Sequence, residues 1–213
     1  LRAKVRNGEK VAAQQLLDNI LIDVFQKNFA DFDSIKTRIM ELLVIISRAA
    51  VDGGADITDI LQLNSRFYHE LLKELNADEI CLWANNMLDT FIGRVEQVKE
   101  EKNLQAVQTV ADFITKNYRK KLTIEEIAQV VYLSPCYLSR VFKQSLGCTL
   151  MEYLTQVRVE QAKQMLRKPK YNVMQAAVEC GFEDPAYFTR VFKKVEGITP
   201  SKFKHNALCT ISG

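Results

Sequence analysis

The feature that most constrains this chain is a repeat inside its second half. The first copy holds Ile124, Ile127 and Ala128, then Ser134-Pro135, then the run Tyr137-Leu138-Ser139-Arg140-Val141-Phe142-Lys143, then Gly147 and Thr149. The second holds Val173, Ala176 and Ala177, then Asp184-Pro185, then Tyr187-Phe188-Thr189-Arg190-Val191-Phe192-Lys193, then Gly197 and Thr199. The copies lie 49 residues apart before the central turn and 50 after it, so the second turn carries one extra residue.

Each copy reads as helix, tight turn, helix. The first helix presents an apolar face through Ile124, Ile127 and Val131. Ala128 and Ala177 stand where two helices cross closely, which a small side chain permits. Gly181 can take a positive φ in the turn. Ser134 and Asp184 are N-caps whose side-chain oxygens accept from free N–H groups. Pro135 and Pro185 follow in the first turn, where a missing N–H costs nothing. The second helix is expected to bury Leu138, Val141 and Phe142, or Phe188, Val191 and Phe192. Its other face carries Arg140, Lys143 and Gln144, or Arg190, Lys193 and Lys194. Gly147 and Gly197 end it, and Thr199-Pro200 starts one more helix by the same logic.

This is helix-turn-helix chemistry written twice. Two helical hairpins could also form a solenoid or a bare packing module. Charge separates these readings. The chain's net charge of +3 divides unevenly. Residues 1–103 carry 13 Lys and Arg against 17 Asp and Glu, whereas residues 104–213 carry 16 against 9. A basic module beside an acidic one points to different partners, and the basic one to a polyanion.

The first half has none of the four prolines and reads as helix throughout. Apolar residues recur at three- and four-residue steps, as in Leu17, Ile20, Leu21, Val24 and Phe25. Helices are expected near 9–29, 35–51, 57–75 and 78–99, the second capped by Ser34 and stopped by Asp52-Gly53-Gly54. Such helices with short loops make a bundle. The charged stretch 96–103 is either a loop or a solvated helix, and the domain boundary is placed near 102. Leu42, Leu43, Val44, Ile45 and Ile46 are core, or in part a homodimer interface. Trp83, Phe67 and Tyr68 are core, or line a ligand pocket. The fold class expected is all-α, an N-terminal helical bundle followed by two helix-turn-helix subdomains joined by a long helix.

At this level of detail the second copy resembles the signature of the AraC/XylS transcription regulators. The matching residues are Ala177, Gly181-Phe182, Asp184, Tyr187-Phe188, Arg190, Phe192-Lys193-Lys194, Gly197, Thr199-Pro200 and Phe203-Lys204. The helix near 150–167 carries the family-like Arg158, Ala162, Met165 and Leu166. The resemblance covers about 104–207. Two positions depart from it. Tyr132 stands where the family has Gly or Asn, and a bulky residue at positive φ is costly, so the first turn is expected to be shaped differently. Ala176 replaces a larger aliphatic residue, which is expected to loosen that helix contact. The acidic half is similar to helical segments that lie between a PocR-type sensory domain and the DNA-binding domain in some AraC-like regulators.

The resemblance implies a cytoplasmic, effector-responsive, sequence-specific regulator of transcription, more an activator than a repressor. Residues 1–102 would be a regulatory or dimerisation bundle. Residues 103–213 would be the DNA-binding domain, with helix-turn-helix motifs at about 122–146 and 172–197. Its partners would be duplex DNA, RNA polymerase and a second copy held through 1–102. The chain begins at Leu1 without Met, so it is expected to be part of a longer protein whose effector binds a domain outside these residues. The helix between the repeats, about 18 residues or about 27 Å long, can set two recognition helices about 34 Å apart, one turn of DNA. Base contacts are expected from Cys136, Ser139, Arg140, Ala186, Thr189 and Arg190. Phosphate contacts are expected from Lys143, Gln144, Lys193 and Lys194. Arg140 and Arg190 have a rival role as intramolecular salt-bridge partners.

Other classes find less support. No Gly-rich phosphate loop or nucleophile–base pair stands out, so an enzyme is not expected. Asp52, Asp56 and Asp59 do not fit an EF-hand spacing. The five cysteines form no CxxC pair, and they read as free, mostly buried thiols in a reducing compartment. Neither His69 nor His205 has neighbours at metal-ligand spacing, and no cofactor is expected. No apolar run is long enough for a membrane span. A protein-interaction adaptor is the remaining rival.

Overall fold

The computed structural model describes residues 1–27, 32–73 and 75–209, with Cys209 described by its backbone alone. Helices account for every regular element among the described residues. The chain divides into two compact units, Leu1–Lys102 and Asn103–Gly213.

The first unit contains α1 (Arg2–Arg6), α2 (Lys10–Lys27), α3 (Phe32–Asp52), α4 (Ile57–Leu71) and the first part of α5 (Ala77–Asn117). Its core gathers Leu17, Ile39, Ile46, Phe67, Phe91 and Ile92 among others. Phe67 meets Trp83 edge to face with ring centroids 5.7 Å apart. Both rings are buried in this core, whereas Tyr68 is exposed. Of the apolar run, Leu42, Leu43 and Ile46 enter the core, and Val44 and Ile45 remain exposed.

Several expectations need correction here. Ser34 is no cap, because α3 already begins at Phe32 and Ser34 lies inside it. The end expected for the first helix, residues 28–29, lies outside the described residues. The helix expected over 57–75 stops at Leu71. The one expected over 78–99 runs on without a break to Asn117. The charged stretch 96–103 is therefore helix, since charged side chains carry no penalty on a solvated helix face. The short α1 was not anticipated, and five residues are too few to show a period. The three aspartates have structural roles. Asp52 pairs with Arg2 at 2.7 Å, Asp56 caps α4, and Asp59 pairs with Arg94 at 2.9 Å.

The second unit takes up the end of α5 and adds α6 (Ile124–Val130), α7 (Pro135–Leu146), α8 (Leu150–Leu166), α9 (Val173–Glu179), α10 (Pro185–Glu196) and α11 (Pro200–Cys209). It has two apolar cores. Val110, Ile114, Ile127, Leu138, Phe142 and Leu154 anchor the first. Val159, Ala162, Ala176, Ala177, Phe188 and Phe192 anchor the second. Helix α8 contributes to both, and Tyr118 packs against both. Ala176 is fully buried, so its small side chain sits inside a closed contact. Val191 is half-buried rather than buried.

Arg158, half-buried on α8, fastens the two cores together. Its Nε donates to the Tyr118 carbonyl at 2.8 Å, and its Nη2 to the Lys120 carbonyl at 2.9 Å. Its guanidinium also lies 5.7 Å from the centre of the Phe182 ring. One cation thus holds the carbonyls that follow α5 while touching the turn of the second repeat. Burial depresses the pKa of this group.

Candidate nucleic-acid interface

Helices α7 and α10 are built alike, residue by residue. Ser134 Oγ accepts from the Tyr137 N–H at 3.3 Å, and Asp184 Oδ1 accepts from the Ala186 N–H at 2.7 Å. Pro135 and Pro185 occupy the first turn. Gly147 and Gly197 end the helices with φ of 73° and 76°, and their N–H groups return to Lys143 and Lys193 carbonyls at 2.9 Å. Between cap and stop, the buried stripe is Leu138, Val141 and Phe142 in α7 and Phe188 and Phe192 in α10. The opposite side is exposed or half-buried.

The preceding helices also end alike. Leu133 N–H reaches the Ala128 carbonyl and Tyr132 N–H the Gln129 carbonyl. In the second copy Phe182 reaches Ala177 and Gly181 reaches Val178. This pair of bonds is the Schellman motif, whose first residue past the cap is left-handed. Gly181 has φ 83° and Tyr132 has φ 54°. The first turn is therefore not reshaped: Tyr132 accepts the strain and keeps the glycine geometry. Gly181 answers a second demand as well, because an added Cβ would stand 2.7 Å from the Arg119 carbonyl oxygen.

The expected contact residues fall as follows. Cys136, Arg140, Lys143 and Gln144 of α7 are exposed, and Ser139 is half-buried. Ala186, Arg190, Lys193 and Lys194 of α10 are exposed, and Thr189 is half-buried, its hydroxyl donating to the Pro185 carbonyl at 3.0 Å. Arg140 lies 5.2 Å over the Tyr137 ring and Arg190 6.0 Å over that of Tyr187, each one helical turn away. Neither arginine forms an ion pair among the described residues. The stacking holds each guanidinium near its own helix without neutralising it. Tyr137 is itself tied down, since its hydroxyl donates to Asn103 Oδ1 at 3.0 Å.

Sequence reasoning passed over the basic run Arg119-Lys120-Lys121, all exposed, which joins α5 to the first repeat. The run itself was the available signal. Arg119 lines a cleft of about 700 Å³ with Arg158, Phe182, Tyr187 and Arg190. The thiols were also misjudged. Of the four described, Cys180 is buried, Cys81 and Cys148 are half-buried, and Cys136 is exposed. The side chain of Cys209 lies outside the described residues. Burial pushes the Cys180 thiol up to about 11.

Known proteins are similar to parts of this chain. The helix-turn-helix domain family matches residues 127–206. The lactose operon transcription activator of Staphylococcus xylosus is 34% identical over 71% of this chain and 56% of its own length. The bifunctional transcriptional activator/DNA repair enzyme AdaA of Bacillus subtilis is 38% identical over 46% of each chain. A transcriptional regulator with an AraC-type DNA-binding domain from Chromobacterium violaceum has a solved structure, 25% identical over 49% of this chain and 93% of that one, with a TM-score of 0.47. Residues 127–206 are an AraC-type helix-turn-helix domain, and the chain is similar to transcription regulators that carry one. Its AraC-type segment contains α7 and α10 with their caps. The chain spans about half the length of the two curated relatives named above. Among the described residues, no helix is long and apolar enough to cross a membrane.

Proposed function

We propose that this chain binds duplex DNA in a sequence-specific manner, with α7 and α10 entering two successive major grooves. One observation carries the reading: two helices with the same caps bury one stripe and expose another that bears an unneutralised arginine and further cations. Helix α8, 17 residues long, spans about 26 Å at 1.5 Å per residue. That is near the 34 Å of one DNA turn once the widths of the flanking helices are added.

In this reading Cys136, Ser139 and Arg140 face base edges of one half-site, and Ala186, Thr189 and Arg190 face those of the next. Arginine reads guanine by donating two bonds. Lys143, Gln144, Lys193 and Lys194 hold phosphates and set the register. Residues 103–213 are the DNA-binding domain, and residues 1–102 are a regulatory bundle that pairs with a second copy. The whole protein is a cytoplasmic, effector-responsive activator that contacts RNA polymerase, its effector bound by a domain outside these residues. It is not an enzyme.

Selection from random duplexes with the 213-residue chain, followed by footprinting on the winners, tests the proposal. The expected result is a bipartite site whose protected stretches lie one helical turn apart on one face. Protection of a single groove per chain would refute the two-groove arrangement. No duplex affinity even at low salt would leave the interaction adaptor as the better reading.

A further inference from the structure

Tyr132 burdens the fold without serving it. Among the described residues, it is the one non-glycine residue at positive φ. The position 49 residues later supplies an internal control. Gly181 closes the same Schellman motif with the same two backbone bonds, and glycine takes that conformation without steric penalty. An aromatic side chain does not. No internal contact compensates. Tyr132 is 96% exposed, and among the described residues its side chain makes no hydrogen bond or ring contact. The apolar contact at this turn comes from Leu133 instead. A strained residue kept in place without an internal partner points to a partner outside the chain.

We propose that Tyr132 is a DNA-backbone contact, its phenol hydroxyl donating a hydrogen bond to a phosphate oxygen at the edge of the groove that α7 enters. The proposal rests on reading α7 as a recognition helix. Position identifies the occupant. The first turn is one residue shorter than the second, so Leu133 alone separates Tyr132 from the N-cap Ser134. A recognition helix enters the major groove by its N-terminal residues, so the turn leading into it rides over the groove edge, where the phosphates are. Tyrosine is among the side chains that donate to phosphate oxygens. Its hydroxyl stands at the end of a stiff arm with two rotatable bonds, so little freedom is lost on contact.

The test compares the full chain with its Tyr132→Gly, Tyr132→Asn and Tyr132→Phe variants, by thermal melting and by anisotropy titration on a selected duplex and a scrambled one. Relief of strain in Tyr132→Gly should raise the melting temperature by a few degrees. Asn tolerates the left-handed region and guards against a folding defect peculiar to Gly. All three variants should bind about 10- to 100-fold more weakly, the range of one hydrogen bond to a charged acceptor. The loss should be equal on both duplexes, and the salt slope unchanged, since a neutral donor releases no counterion. Wild-type affinity in Tyr132→Phe would overturn the hydroxyl contact while leaving the DNA-binding reading intact. A melting temperature that falls in both Tyr132→Gly and Tyr132→Asn would overturn the premise that the fold bears a strain here. Failure of the unaltered chain to bind either duplex would sink both readings.

Discussion

Arg140 shows how much one side chain can be asked to do. It is exposed, stacked on Tyr137 and free of any carboxylate within ion-pair distance among the described residues. Its charge is therefore available to a ligand. Replacing it with Ala should weaken binding to the selected site by about 1–3 kcal/mol, the worth of a bidentate guanine contact. Binding to scrambled duplex should change far less, and equal losses on both would contradict base reading. Cys180 is the opposite case, a group whose effect is internal. Its folded pKa of about 11 exceeds the ordinary 9.0 because burial penalises the thiolate. The stability this contributes is fully present below pH 9 and is lost as pH rises from 9 through 11. The loss amounts to about 2–3 kcal/mol, at 1.36 kcal/mol per unit. Urea melts between pH 8 and 11 should therefore fall more steeply for the unaltered chain than for Cys180→Ala.

At the scale of elements, caps and stops do more than mark where helices end. Each repeat needs a left-handed residue after its first helix and another after its second, because helix geometry leaves carbonyls to be satisfied there. These sites differ in what surrounds them. Gly147 has open space where a Cβ would go, whereas at Gly181 that Cβ would meet the Arg119 carbonyl oxygen at 2.7 Å. Gly147→Ala should therefore cost about 1–2 kcal/mol, the left-handed penalty alone. Gly181→Ala should cost more than that, because backbone at residues 118–119 must also move. Chemical denaturation of the two variants checks the order, and equal costs would mean that the close approach at Gly181 is easily relieved.

For the molecule as a whole, charge is unevenly shared: the first half is acidic and the second basic. Exposed cations without carboxylate partners feel a polyanion over distances set by the ionic strength. Lys193 is such a cation, exposed on α10 and outside every described ion pair, unlike Lys163, whose pKa is raised by the hydrogen bonds it donates to Glu160 and Glu196. Lys193→Ala should lower affinity on all duplexes alike and flatten the plot of log affinity against log salt by about 0.9, one phosphate's share of released counterions. An unchanged slope would move Lys193 off the phosphate backbone.

The sequence alone determined the twin helices of the second half, because their signals are local. An N-cap sits two or three residues from the N–H it satisfies, a proline restricts its own φ, and a stop glycine acts where it stands. The candidate contact residues follow from the same local pattern, as the face left over once the apolar stripe is assigned. Tertiary structure decided what depends on distant neighbours. Arg158 becomes a clasp because two carbonyls some forty positions away lie beside it. Gly181 is constrained by a close approach to residues 118–119, and the fate of each thiol depends on what packs over it. The uninterrupted run of α5 through a charged stretch belongs here too, since charge patterning permits helix and loop alike. Tyr132 lies between these cases: its rarity was plain from the residues, but that the turn would bend the side chain to its own geometry, rather than the reverse, was settled by the hydrogen bonds of the surrounding motif.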